Sequence, residues 1–250
     1  MLRTRIVATL IAVAGPALRP ARAGAGDLDI VPVVVDLGSS RSTLVTVRNA
    51  AKERGRYELR AFAWEESPIG QMKLEPAQDL LVFPPVLDLA PGQERKVRIG
   101  TTAVSGERER TWRVFIEEIL PAATAQEATR LRTRLSVGLP VFLAPTRRLS
   151  GAEIAGLGVE HGKVTFLVRN GGTVRVRPSS VRVVVTDARD RPVLEKSFQG
   201  WYVLAGGDRL YEVDVPPDLC SKARTVTATA ALDGQTIEAR QAVLGGACAP

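Results

Sequence analysis

The run 131–145, LRTRLSVGLPVFLAP, constrains this chain more than any other segment. Leu131, Leu135, Val137, Leu139 and Val141 recur at every second position, broken once by Thr133. A period of two belongs to an extended strand, and it gathers these apolar side chains on one face. The opposite face carries Ser136, Gly138 and Pro140. Proline cannot donate to a sheet ladder, so the segment reads as an edge strand with one main-chain edge open. Such an edge templates pairing with other chains. Two readings follow: a final strand folded into its own sandwich, or a strand that pairs with another protein. The basic residues Arg130, Arg132 and Arg134 lie just ahead of it.

The N-terminus reads as an export signal. Arg3 and Arg5 form a positive region, 6–18 is a short apolar stretch, and Ala21-Arg22-Ala23 is a cleavage site. Residues 1–23 are therefore expected to be removed. The apolar stretch is too short to span a bilayer comfortably, and no later segment has a long uncharged apolar run. The mature chain is expected to be soluble, without membrane insertion, and outside the cytoplasm. The signal holds four arginines and no acid, so the net charge of +7 falls to +3 in the mature chain. That balance gives no case for nucleic-acid binding.

Cys220 and Cys248 are the two cysteines. An even pair in an exported chain suggests one disulfide, which would tie down the tail and contribute on the order of 3–4 kcal/mol. The single histidine, His161, lies in the turn-like sequence EHGK and has no companion for a metal cage. Neither an acid–base constellation nor a phosphate loop is readable, and the adjacent Glu117 and Glu118 would point to opposite faces of a strand. The sequence reads as a binding protein rather than an enzyme, with no cofactor and no metal.

Short β-rich runs recur along the chain: 29–35, 42–48, 56–64, 95–101, 111–119 and 131–143, then 163–169, 174–177, 181–186, 193–198, 209–215, 225–231 and 236–243. Glycine and polar turns separate them, as in β-sandwiches. Val47-Arg48-Asn49 ends a run early in the first series and Val168-Arg169-Asn170 does so in the second. This is a slight internal repeat, and coincidence is the alternative. The fold class expected is all-β, with two immunoglobulin-like sandwiches over 24–145 and 146–250.

Residues 83–99, FPPVLDLAPGQERKVRI, together with 110–121, RTWRVFIEEILP, and 139–145, LPVFLAP, resemble the periplasmic pilus-assembly chaperones of the chaperone–usher pathway. The likeness is nearest to the archaic, spore-coat-like branch. It is specific over about 29–145 and only architectural over 150–250. It implies two domains set at an angle with a cleft between them. It also implies donor-strand complementation, in which the chaperone lends a strand to a pilin that lacks its last one. Leu131, Leu135, Val137, Leu139 and Val141 would then fill the pilin groove, without ATP. Leu139→Asp is expected to abolish pilin stabilisation while leaving the chaperone folded. The implied partners are pilin subunits and an outer-membrane usher. The apolar edge is expected to be hidden in the free protein, as in a self-capping homodimer, and the loop 122–130 to be mobile.

The better-studied branches hold the pilin C-terminal carboxylate with an arginine on the first strand and a lysine on the donor strand. Val33 and Pro140 occupy those positions here. Arg98, Arg132 and Arg134 are the basic residues considered as substitutes, because a guanidinium suits bidentate carboxylate capture. The competing reading of Arg132 and Arg134 is that they are solvated gatekeepers beside an aggregation-prone strand. The competing reading of the whole chain is an exported structural or adhesive protein with two immunoglobulin-like domains and no chaperone cycle.

Overall fold

The computed structural model describes residues 28–38, 40–120, 133–244 and 246–248. The expected signal 1–23, the loop 122–130, Leu131 and Arg132 lie outside them. Two β-sandwiches follow one another. In the first, β1 (Leu28–Val31), β3 (Ser42–Asn49), β8 (Glu94–Thr101) and β6 (Leu80–Phe83) form one sheet in that order. The second sheet runs β2 (Val35–Leu37), β10 (Ser136–Leu143), β9 (Arg110–Glu118), β4 (Gly55–Glu66) and β5 (Met72–Pro76), with β7 (Val86–Leu89) also paired to β4. Alternate residues of both sheets meet in one core that includes Val45, Val97, Trp112, Val114, Leu139 and Val141.

The second sandwich sets β11 (Ala152–Glu160), β12 (Lys163–Asn170) and β15 (Asp208–Asp214) against β14 (Pro192–Gln199), β13 (Ser180–Thr186), β16 (Thr225–Leu232) and β17 (Gln235–Ala242). Its core is built on Phe166, Val168, Val183, Tyr211 and Ala228. A single helical turn, α1 (Pro217–Cys220), carries Cys220 into a disulfide with Cys248. His161 and Gly162 join β11 to β12 with φ of 49° and 70°, the left-handed backbone that a two-residue hairpin turn requires.

The expected strand 29–35 is two strands in two sheets. β1 pairs antiparallel with β3, and β2 pairs parallel with β10. Pro32 lies between them; lacking an N–H, it interrupts the ladder where the chain changes sheets. The expected strand 174–177 reduces to one bridge, Val176 to Val203, because Pro178 stops its extension.

The Val-Arg-Asn repeat has a common structural role. Asn49 ends β3, is fully buried, donates to the carbonyls of Glu53 and Leu89, and accepts from the Ala51 N–H. Asn170 ends β12, is equally buried, donates to Val174, Val203 and Leu204, and accepts from the Gly172 N–H. In each sandwich one amide closes the turn after the strand and satisfies carbonyls of a neighbouring segment.

Candidate functional site

The β10 strand pairs with β9 along its whole length, from Ser136 opposite Glu117 to Leu143 opposite Arg110. Just before it, the Glu118 N–H donates to the Leu135 carbonyl at 2.9 Å. Antiparallel residues alternate in the side to which their main-chain groups point. Leu135, Val137, Leu139 and Val141 therefore bond toward β9, while Ser136, Gly138, Pro140 and Phe142 point their main chain the other way. On that other side β2 pairs with residues 141–143 only. Among the described residues no strand covers 136–140 there. The N–H groups and carbonyls of Ser136 and Gly138 line this open stretch, and the Pro140 carbonyl already faces the Val35 N–H of β2. Pro140 is tolerated because its missing donor falls on the open side and leaves the β9 ladder intact.

Side-chain burial divides the alternating set. Leu139 and Val141 are 2% and 0% exposed in the core of their own sandwich. Leu135 and Val137 are partly buried at the margin of that core. Leu139 and Val141, expected to fill a partner's groove, lie in the core of their own sandwich in the free chain. Leu139→Asp would bury a carboxylate there and is expected to destabilise the fold.

The basic candidates separate as well. Arg98 stands on β8, in the other sheet, between Leu44 and Phe83 and exposed. That placement removes it as a neighbour of β10. Arg134 precedes β10 and lies 3.7 Å from Glu117, which is itself held by Arg60. Those arginines, led by the hydrogen bond from Arg60, hold the Glu117 carboxyl below its usual range. Val33 is 63% exposed in the crossover between β1 and β2.

Beyond Pro140 the sheet meets the second sandwich. Phe142 packs with Trp64 and Tyr202 in a small buried cluster, and Arg175 lies 3.6 Å over the Phe142 ring. Arg175 also donates to Glu109 at 2.6 Å and to Asp36 at 2.8 Å. The Arg175 main-chain N–H donates to Glu109 too. Burial pushes the Glu109 carboxyl up, against the pull of Arg175. Arg209 pairs with Glu66 across the same junction at 3.2 Å. These contacts tie the end of β10 to the second sandwich.

Arg113, on β9 directly opposite Pro140, is 7% exposed. Its guanidinium stacks 4.3 Å from Trp64 and 5.6 Å from Trp201. The sequence reading passed over this residue. Its signal is an arginine alternating out of phase with Trp112, Val114 and Ile116 and sharing a face with Phe115. Nothing local reveals its burial, because Trp201 and Tyr202 come from the other sandwich.

Residues 30–148 match the family described as pili and flagellar-assembly chaperone, PapD N-terminal domain. The first sandwich is thus similar to the N-terminal domain of these chaperones. The whole two-sandwich fold is shared with solved chaperones. One is a chain of the CsuC–CsuE chaperone–tip subunit complex from the archaic Csu pili of Acinetobacter baumannii. It is 13% identical at a TM-score of 0.58, over 85% of this chain and 98% of that one. Another is from the Salmonella enterica SafA pilin–SafB chaperone complex, 16% identical at 0.56 over 87% and 96%. A third is the class 5 fimbriae chaperone CfaA, 16% identical at 0.54 over 87% and 99%. No curated protein sequence is significantly similar. Within the matched residues β10 is the last strand, and its open stretch faces away from β9.

Proposed function

We propose that this chain is a periplasmic chaperone that binds pilin subunits by adding β10 to their incomplete sheet, and that it hands them to an outer-membrane usher. The observation that carries the reading is the open main-chain edge at 136–140 on a sandwich similar to the PapD N-terminal domain. Main-chain hydrogen bonds along such an edge give affinity with little demand on sequence. Leu135 and Val137, at the margin of the core, are the described side chains placed to enter a partner's groove, and Leu131 continues their spacing. Leu139 and Val141 anchor the lent strand in its own domain. A disulfide between Cys220 and Cys248 suits an oxidising compartment. Among the described residues no helix is long and apolar enough to cross a membrane.

The test is co-expression in the periplasm with each pilin encoded by the same genome, followed by capture on the tagged chaperone. A one-to-one complex with wild type, lost in Val137→Asp while that variant keeps its fold, is the expected result. Undiminished capture by folded Val137→Asp would contradict the strand-lending reading.

A further inference from the structure

Ser136, Gly138, Pro140 and Phe142 form the outer row of β10, and Gly138 leaves a gap in it. A glycine inside a strand gives up packing and often marks a place where another backbone approaches closely. Gly138 stands opposite Phe115 on β9. The β9 ladder bonds at Val137 and Leu139, so Gly138 and Phe115 are a non-hydrogen-bonded pair, the kind whose side chains lie closest. A Cβ added at Gly138 would lie 3.1 Å from Phe115 Cε1 and 3.5 Å from Cδ1. The Phe115 ring therefore leans across β10 toward its open edge. It is only partly buried, and Phe62 backs it edge-to-face at 5.7 Å.

The charges around this ring are matched among themselves. Arg60, opposite Phe115 on β4, pairs with Glu117, and Arg134 lies against the same carboxylate. Arg113 bounds the other side of the gap: its Nη1 would lie 3.3 Å from the added Cβ, and its guanidinium is stacked on Trp64. The main-chain groups of Gly138 point to the open side. A strand added there lies about 4.8 Å from β10. Its side chain beside Gly138 meets no side chain of β10 in that row, only the Phe115 ring reaching over. An aromatic ring laid over a strand glycine packs best against an apolar cross-strand neighbour.

We infer that Phe115, reaching across Gly138, is the specificity contact for the strand added to β10, and that it selects a large apolar side chain at the partner position beside Gly138. The inference rests on the strand-lending reading above and names the side-chain chemistry that the edge selects. It also fixes register, because a slip of one residue would turn the partner's other set of side chains toward Phe115.

The experiment is capture of a pilin encoded by the same genome on the full chain, as wild type, Phe115→Ala or Gly138→Ala. The pilin is wild type or carries single alanine changes along the strand that pairs with β10. Loss of the aromatic contact should weaken binding roughly 2- to 10-fold in Phe115→Ala. One apolar residue of the pilin strand should lose a similar factor on change to alanine, and the two losses should not multiply. Gly138→Ala should also weaken binding, because its methyl group takes the space of the partner's side chain. The free Gly138→Ala protein should melt within about 5 °C of wild type, since alanine suits a strand better than glycine. Losses that multiply for every pilin residue, or Gly138→Ala binding as tightly as wild type, would overturn the assignment. So would a larger fall in melting temperature, which would mean that Phe115 already closes the gap. A coupled pilin residue that is acidic would overturn the apolar preference. Val137→Asp tests strand lending separately. Capture lost there with no coupling at Phe115 refutes only the contact at the gap, and capture that survives it refutes strand lending and this inference with it.

Discussion

Leu139→Ala separates a core side chain from a lent one. Leu139 is 2% exposed, opposite Val114 on β9, with Val141 and Trp112 also buried in the same core. Its neighbours belong to hydrogen-bonded strands that cannot close over the space left by the lost methyl groups. Leucine-to-alanine changes at such sites destabilise by roughly 2–5 kcal/mol, and a value of about 3 kcal/mol is expected here. With an m-value of about 2 kcal/mol/M in urea, the unfolding midpoint should fall by about 1.5 M. Intrinsic fluorescence reads the transition, because Trp64 and Trp112 are buried in the first sandwich. Val137→Ala, at the core margin, should lower stability by less than about 1 kcal/mol. The folded fraction of Leu139→Ala should still capture pilin, and Val137→Ala should capture less. If Leu139→Ala left stability within about 1 kcal/mol of wild type and yet lost capture, the division of the strand into lent and anchoring residues would be wrong.

Two further outcomes follow from other parts of the fold. Asn49→Ala and Asn170→Ala should each lower stability by about 2–4 kcal/mol, since each strands buried carbonyls and one N–H. The two losses should be additive in chemical denaturation, because the residues lie in separate sandwiches. Asp187 accepts from the Arg191 guanidinium and from the main-chain N–H groups of Arg191 and Arg189, which hold its carboxyl down at about 2. A lowered folded value means that this turn adds stability above about 3.8, lost as the pH falls toward 2. An NMR titration should show the Asp187 pKa rising toward 3.8 in Arg191→Ala.

The alternation of β-branched and aromatic residues made the central strands of both sandwiches legible. β3, β12, β13 and β16 each bury one face and keep a period of two, while β9 and β10 keep the period in sequence but bury both faces beside the second sandwich. β11 escaped that reading because AEIAGLGVE is rich in alanine and glycine and has no alternating apolar face. β5 escaped because it is an exposed edge, and the pair β6 and β7 because Pro84 and Pro85 interrupt the run between them. The site was half legible. Period and proline together pointed to an open edge, and Pro140 does sit where its missing donor does no harm. Which alternating residues belong to the core was not readable, since that depends on where β2 begins to cover the edge. Arg113 was invisible for a related reason: its burial is imposed by Trp201 from the second sandwich.

The most direct measurement is amide hydrogen exchange on the free protein and on its purified complex with a pilin. The N–H groups of Ser136 and Gly138 point to the open side, whereas that of Leu139 points into the β9 ladder. The account predicts that Ser136 and Gly138 exchange fast in the free protein and become strongly protected in the complex, while Leu139 is protected in both. A stable complex in which Ser136 and Gly138 still exchange fast would contradict the claim that the partner is held by a strand added to β10.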